Sequence, residues 1–292
     1  MDGPQVGEQD IVAGLRQLGL AGDATVMVHS SLSSFGHVAG GARTVIDALR
    51  EVCGTVVMLA GAGDLTRVDA PPGLIRPNNA YFNARTWAEF DDWVVKATPY
   101  RPNLPVDRWL GRIPHTLVHE YPSRRGPHPL LSFAAIGRHE NEVIDAESPT
   151  DCLGPLRAVH ELDGYVLQLG VTHTTNTTMH VAEQKLGRSL FYRYALNADG
   201  LWCELPNVPG ESHEFDRIEP HLAPHTRTVT IGACRARLTR SADVIETTMR
   251  LIEADARALL CADPACRCGA AYQQRLAYLS TSSAAQSRRR HS

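Results

Sequence analysis

The sequence predicts an α/β fold with a mixed, largely parallel central sheet flanked by helices and antiparallel hairpins in the C-terminal half. Three observations carry this prediction. Residues 24–59 read as strand, polar loop, helix and strand, a βαβ pattern that calls for parallel pairing. Residues 165–183, YVLQLGVTHTTNTTMHVAE, pass from an apolar run through a polar turn into a helix start. Residues 191–205 and 226–238 each hold two short apolar runs around Gly-containing turns, which is hairpin composition.

In chain order, Ile11, Leu15 and Leu18 mark a short amphipathic helix ending near Gly19. Residues 24–28 form a buried strand, and the polar loop His29 to Gly36 leaves its carboxyl end. A helix over 42–52 and a strand over 55–59 complete the first unit. Residues 60–105 are the hardest stretch: the prolines at 71–72 and 77 read as loop, while Trp87, Phe90, Trp93 and Val94 have helical spacing. Two readings stand for that helix and for Glu89, Asp91 and Asp92 on it. It packs an aromatic face beneath a solvated acidic one, or it is a wall or lid that attracts a polycation. A loop and helix cover 107–120, a third strand 130–136, and short helices 139–146 and 155–162. Arg124 and Arg125 are either two exposed cations or a fork for phosphate. The helix at 179 is expected to run to about Gly187, with Thr177 or Thr178 as its hydroxyl cap. The clearest helix covers 241–260, with Ser241 as cap and Val244, Thr248, Leu251 and Ile252 on one face. One domain is expected over 1–279, with a disordered tail at 280–292.

Composition narrows the function. The chain has 292 residues, 43% hydrophobic, which is ample for a core. A net charge of −3 offers no footprint for nucleic acid, and no run is long enough to span a bilayer. The start, MDGPQVGEQD, lacks the pattern of a signal peptide, so a cytoplasmic location is expected. Seven scattered cysteines fit reduced thiols. Cys261, Cys266 and Cys268 give C-x4-C-x-C with no second pair, and His291 lies only in the tail, so no metal is expected. No G-x-x-x-x-G-K-[ST], G-x-G-x-x-G or G-x-S-x-G is present, which removes the usual phosphate cradles and the hydrolase elbow.

What remains is the stretch at 165–183. His180 and Glu183 stand three apart and share a helix face. A carboxylate beside an imidazole orients the ring and raises its basicity. Such a pair is usually a surface ion pair; its place directly after a buried strand, at a helix start, brings the base of an active site level with that reading.

The segments VMVHSSLSSFGHVAGGARTVIDAL, HPLLSFAAIG and LQLGVTHTTNTTMHVAE, in this order and over about residues 10–271, resemble the antibiotic N-acetyltransferase family of aminoglycoside 3-N-acetyltransferases, a fold distinct from the GNAT enzymes. The resemblance implies acetyl-CoA as donor and an aminoglycoside amine as acceptor, in a monomer or homodimer. It implies that Ser30, Ser31, Leu32 and Ser33, with His128, Ser132 and Phe133, line the CoA path, and Arg124 and Arg125 are candidates for its phosphates. His180 matches the histidine of the family's N-T-T-x-H motif, and Glu183 the acid after it. Glu211 is the candidate for a second acid, and Thr177 for a donor to the oxyanion. His173, Thr174 and Asn176, together with Asp64, Glu89 and Asp92, are candidates for the acceptor side. Many members read G-H-D-x-N-T-T where this chain has Thr174. Residues 60–105 are also longer and more aromatic than usual, and their acids are expected to replace the missing aspartate. A different amine, within a natural-product pathway, is the alternative acceptor.

Overall fold

The computed structural model describes residues 5–76 and 83–289, the last eight as backbone only. Pro77 and the asparagines after it, expected as loop, lie outside the described residues. In chain order the elements are α1 (Glu8–Gln17), β1 (Thr25–Ser30), α2 (Ala42–Val52), β2 (Thr55–Leu59), α3 (Gly63–Thr66), α4 (Trp87–Lys96), α5 (Arg112–Glu120), β3 (Arg124–Arg125) and β4 (Phe133–Gly137). There follow α6 (Glu140–Asp145), α7 (Gly154–Glu161), β5 (Tyr165–Leu169), α8 (Met179–Lys185), β6 (Arg193–Leu196), β7 (Trp202–Leu205), α9 (Glu219–Leu222), β8 (Thr226–Ile231), β9 (Cys234–Arg240), α10 (Ser241–Ala254) and α11 (Arg267–Arg289).

Seven strands form one sheet in the order β3-β4-β2-β1-β5-β9-β8, and β6 with β7 makes a separate hairpin. The expected α/β class and mixed sheet are present, but the parallel share is smaller than expected. Two of the six pairings, β1 with β2 and β1 with β5, are parallel. Connection length explains two of the four antiparallel pairings, β3 with β4 and β8 with β9. The segment between β3 and β4 and the Gly232-Ala233 turn between β8 and β9 are too short for a crossover, so those strands return antiparallel.

The central strands are apolar on both faces because both faces are covered. Val26 and Val28, with Val56 and Met58, pack against α1 and α2 through Leu15, Val45, Ile46 and Leu49. Met27, Val57 and Phe133 face the other way and meet Leu156 of α7, Val181 of α8 and Ile245 of α10. Each fully buried aliphatic side chain here contributes about 1.5–3 kcal/mol.

Three local expectations are corrected. α8 begins at Thr178, whose hydroxyl makes no cap bond. The chain before it is already coiled, so the carbonyls of Asn176, Thr177 and Thr178 take the first helical N–H groups at 3.1–3.2 Å. Ser241 likewise is not a cap: Arg240 holds that position and makes no capping side-chain bond. The expected disordered tail is helical as far as Arg289, since its Ala-, Gln-, Ser- and Arg-rich sequence contains no Gly or Pro to break α11.

Residues 60–105 are organised by the β6–β7 hairpin. Val68 N–H donates to Tyr194 O at 3.1 Å, and Tyr100 N–H to Asn197 O at 3.2 Å. Phe90 of α4 meets Trp202 edge-on at 6.1 Å, and Trp202 stacks on Tyr194 at 5.2 Å.

Candidate active site

The parallel centre of the sheet sets the site. Ser30 at the end of β1 lies opposite Leu169 at the end of β5, and Ser31 N–H donates to Leu169 O at 2.9 Å. The loops after both strands therefore leave the sheet together, where open α/β sheets place their ligands. Gly170 makes this junction possible. It has φ +68°, and a Cβ there would lie 1.8 Å from Ser34 Oγ.

A cleft of about 1250 Å³ opens over this junction. It is larger than the roughly 300–1,000 Å³ of most small-molecule sites, which leaves room for two substrates at once. Ser30, Ser31, Leu32 and Ser33 form one wall, Thr174, Thr177 and His180 the floor, Gly210 and Glu211 a third side, and Asp64 the far side.

His180 and Glu183 are both buried, with His180 Nδ1 2.6 Å from Glu183 Oε2. The surface ion pair is therefore excluded. An acceptor-only carboxylate on Nδ1 holds the proton there and leaves the Nε2 lone pair for the cleft that His180 lines. The ring packs on Phe215 at 4.9 Å. Behind the pair, Arg188 is almost wholly buried, its Nε 3.8 Å from Glu183 Oε1. Burial pushes the Arg188 pKa down and Glu183 opposes that shift.

Several backbone N–H groups near His180 are already used. Thr177 N–H donates to Thr175 O at 2.9 Å, and Thr174 N–H to Asp216 at 3.3 Å. The Thr177 hydroxyl has only a long 3.4 Å bond to Thr175 O, so it is the group on this floor able to turn towards a developing anion.

Other expected residues do not reach the cleft wall. Arg124 is committed to Asn141 and Asp145, both at 2.7 Å. Arg125 is buried, its Nε 3.1 Å from Ser132 Oγ and its Nη1 3.1 Å from Pro102 O. His128 Nδ1 accepts from the N–H groups of Leu130 and Leu131 at 3.2 and 3.0 Å, which requires a neutral ring. Burial pushes its pKa down to about 3, with Arg193 adding to the fall. Phe133 is core. These residues shape the segment after β3, whose Leu130 and Leu131 line the cleft in their place.

His173 and Asn176 are also interior. His173 Nε2 lies 3.0 Å from Glu219, and its Nδ1 3.3 Å from Asn176. Glu89 is drawn to Arg85 N–H at 2.9 Å and Asp92 is exposed, and neither lines the cleft. The contribution of α4 to the wall is Trp93, with the Arg67 guanidinium 5.7 Å from its ring centre.

The structure adds residues that the sequence did not mark. His29 lines the cleft, and burial, then His173, lowers its pKa to about 3, so it stays neutral. Asp107 accepts the Asp64 N–H at 2.6 Å, and Asp64 in turn accepts the Arg108 N–H at 3.1 Å, giving two linked carboxylates on one side. Burial raises the Asp107 pKa; the Asp64 N–H opposes that rise and the Asp64 carboxylate adds to it. Trp109, Arg112 and Arg193 complete that side. His29 followed a strand directly, which was a usable signal; Asp107 and Trp109 had none. Glu211 is fixed by Arg267 Nε at 2.9 Å, and Gly210 beside it leaves space for Phe191, 2.5 Å from where a Cβ would stand.

The family model for aminoglycoside 3-N-acetyltransferases matches residues 27–253. The chain is 35% identical over 246 residues, 79% of this chain and 86% of the relative, to an aminoglycoside N(3')-acetyltransferase-like protein, YokD, of Bacillus subtilis (strain 168). It is 29% identical to aminoglycoside N(3)-acetyltransferase VIII of Streptomyces fradiae over 83% of this chain and 90% of that one. The crystal structure of apo AAC(3)-IVa superposes with a TM-score of 0.75 at 26% identity, covering 93% of this chain and 99% of that one. With His180, backed by the buried Glu183, lining a cleft of this size, this chain belongs to the aminoglycoside 3-N-acetyltransferase family.

Proposed function

We propose that this acyltransferase moves the acetyl group of acetyl-CoA to the 3-amino group of 2-deoxystreptamine aminoglycosides, conferring resistance, with His180 as general base. The observation that carries the reading is the buried 2.6 Å contact between His180 Nδ1 and Glu183, on the wall of a cleft large enough for both substrates. Relatives support the choice of ligands. A histidine-to-alanine form of AAC(3)-IVa, of the same fold at 25% identity, was solved with a gentamicin, and AAC-IIIb with CoASH.

The chemistry follows from the wall. Asp64 and Glu211 bring carboxylates to the acceptor side, among Arg67, Arg112 and Arg193, where they can pair with individual ammonium groups of a polycation. His180 Nε2 takes a proton as the acceptor nitrogen attacks the thioester carbonyl. The Thr177 hydroxyl donates to the oxyanion; when it collapses, the C–S bond breaks and the proton passes to the departing thiolate. Base catalysis contributes about 10²–10⁴-fold, and holding amine and thioester in one cleft contributes more. The acetyl group needs no stop on the protein, because the thioester is already activated. On the donor side, Ser31 and Ser33 supply hydroxyls and Leu32, Leu130 and Leu131 an apolar path for pantetheine.

Thr174 favours a second reading, the same transfer to a different amine. It lines the cleft where many members carry an aspartate, which leaves one charge fewer for a polyamine. Thiol release from acetyl-CoA, measured against a panel of aminoglycosides with a His180→Ala control, tests both. Fast release with 2-deoxystreptamine compounds, lost in the control, is expected. Background release with every compound would refute the aminoglycoside acceptor.

A further inference from the structure

The cysteines dismissed in sequence gain a fourth partner in the fold. Cys261 lies in the segment after α10, Cys266 just before α11, and Cys268 in its first turn. A turn at Asp263 folds this segment back: Asp263 Oδ1 accepts the Ala265 N–H at 2.9 Å and Asp263 O the Cys266 N–H at 3.1 Å. His213, 48 residues before Cys261, arrives from the segment that carries Gly210 and Glu211. The three sulfurs and a ring nitrogen of His213 all lie within 4.8 Å of one another. No signal in C-x4-C-x-C identifies such a partner, since it comes from a distant loop.

We propose that Cys261, Cys266, Cys268 and His213 form a structural zinc site that ties the Glu211 segment to the C-terminal helix.

Three thiolates and one imidazole are a known structural zinc set, and soft ligands of this kind select zinc over magnesium or calcium. Tetrahedral bonds of about 2.3 Å to sulfur and 2.0–2.1 Å to nitrogen place ligand atoms about 3.5–3.8 Å apart, so the cluster closes with shifts of about 1 Å. A disulfide would use two sulfurs and leave the third thiol and the imidazole without a purpose. The surroundings are dry on one side, where Cys268 is buried with Phe191, Leu260 and Ala271.

The outer partners also fit. His213 Nδ1 lies 3.9 Å from Glu211 Oε2, and a carboxylate beside a ligating imidazole is the usual second partner. Arg267, between Cys266 and Cys268, holds the other oxygen of Glu211 at 2.9 Å. The metal would thus fix both residues that grip Glu211. The consequence for the acceptor rests on the acetyl-transfer reading; the metal does not.

The full chain, purified without chelator and supplied with zinc under reducing conditions, tests this by metal analysis and native thiol titration. One zinc per chain is expected, with the half-buried Cys261 and Cys266 protected from the thiol reagent until a chelator removes the metal. Cobalt loaded instead gives the charge-transfer absorption of thiolate ligands. Cys266→Ser and Cys268→Ser lose the zinc. His213→Ala weakens it at least about tenfold, the lower bound even for changes to outer partners, and His213→Cys restores it. Cys203→Ser and His180→Ala keep one zinc per chain, the second while losing turnover, so failure of the catalytic reading is told apart from failure of this one. A chain that takes up no zinc with all thiols reduced, a disulfide among the three cysteines, or full binding in Cys266→Ser would overturn the proposal.

Discussion

Glu183→Gln separates chemistry from stability. The carboxylate does two things: it accepts from His180 Nδ1 at 2.6 Å and sits 3.8 Å from the Arg188 guanidinium. Gln keeps the shape and loses the charge. A charge-assisted hydrogen bond is worth about 1.5–3 kcal/mol, and it both orients the ring and supports the positive charge that His180 gains as it takes the proton. If that energy is felt in the transition state, kcat falls about 10- to 150-fold; if the amide also flips and favours the wrong tautomer, the loss approaches about 10⁴. Arg188 meanwhile loses its nearest carboxylate while its Nε and Nη1 have no hydrogen-bond partner, and a buried unpaired charge costs about 3–5 kcal/mol. Thiol-release kinetics and urea unfolding read the two effects on the same samples. Glu183→Gln with Arg188→Met removes the stranded cation, so it should regain most of the stability and none of the rate. A kcat within threefold of wild type in folded Glu183→Gln would refute the pairing argument, and full recovery of rate in the double variant would show that the loss was structural.

Gly170→Ala combines φ +68° with a Cβ 1.8 Å from Ser34 Oγ, so a loss of about 2–4 kcal/mol is expected in unfolding experiments, from left-handed strain and overpacking together. Asp64→Asn should raise KM for a polycationic acceptor about fivefold, the worth of about 1 kcal/mol at a half-exposed carboxylate. Reversing the charge of Glu89, Asp91 and Asp92 together should leave that KM unchanged, because none of them lines the cleft; a rise would restore the expectation that α4 supplies the missing acid. His128 stays neutral in the fold down to about 3, while the unfolded chain takes up a proton below the ordinary 6.5. The stability this ring gives is therefore present above about 6.5 and falls as pH drops, by up to about 1.4 kcal/mol per unit. His128→Asn, which keeps an acceptor for Leu130 and Leu131, should lose less between pH 7 and pH 5 in urea unfolding.

The legible parts of this chain are those where one local pattern decides. α2, β2 and β5 appear with the boundaries read from sequence, since each is a periodic or apolar run stopped by Gly or a polar turn. His180 and Glu183 were legible for the same reason: spacing of three on a helix face places them together whatever the rest of the chain does. Residues whose role depends on distant partners were not. Arg125, His128, His173 and Asn176 turn inward to partners that no local pattern reveals, and Arg124 stays at the surface, held by Asn141 and Asp145. Asp107 and Trp109 are brought to the cleft by bonds between distant segments: Asp64 N–H to Asp107, Arg108 N–H to Asp64 and Asp107 N–H to Gly61 O.

The two sides of the cleft are held by different forces. His180 and Glu183 hang from β5 and α8, which are packed on both sides by the central core, so their geometry is set by the most stable part of the molecule. The acceptor side comes from elsewhere. Asp64 follows β2 on the four-residue α3, Trp93 comes from a helix with no buried residue, and Glu211 from a loop after a two-stranded hairpin. None of these three is held by the large apolar clusters that fix the base. Each depends on polar links: Asp64 to Asp107, Trp93 to Arg67, and Glu211 to Arg267. Substitutions there can recast the shape and charge presented to the amine at small cost in folding, while the base and its carboxylate stay in place. Thr174, where the family resemblance leads to an expected aspartate, is a position of that kind, lining the cleft beside the base.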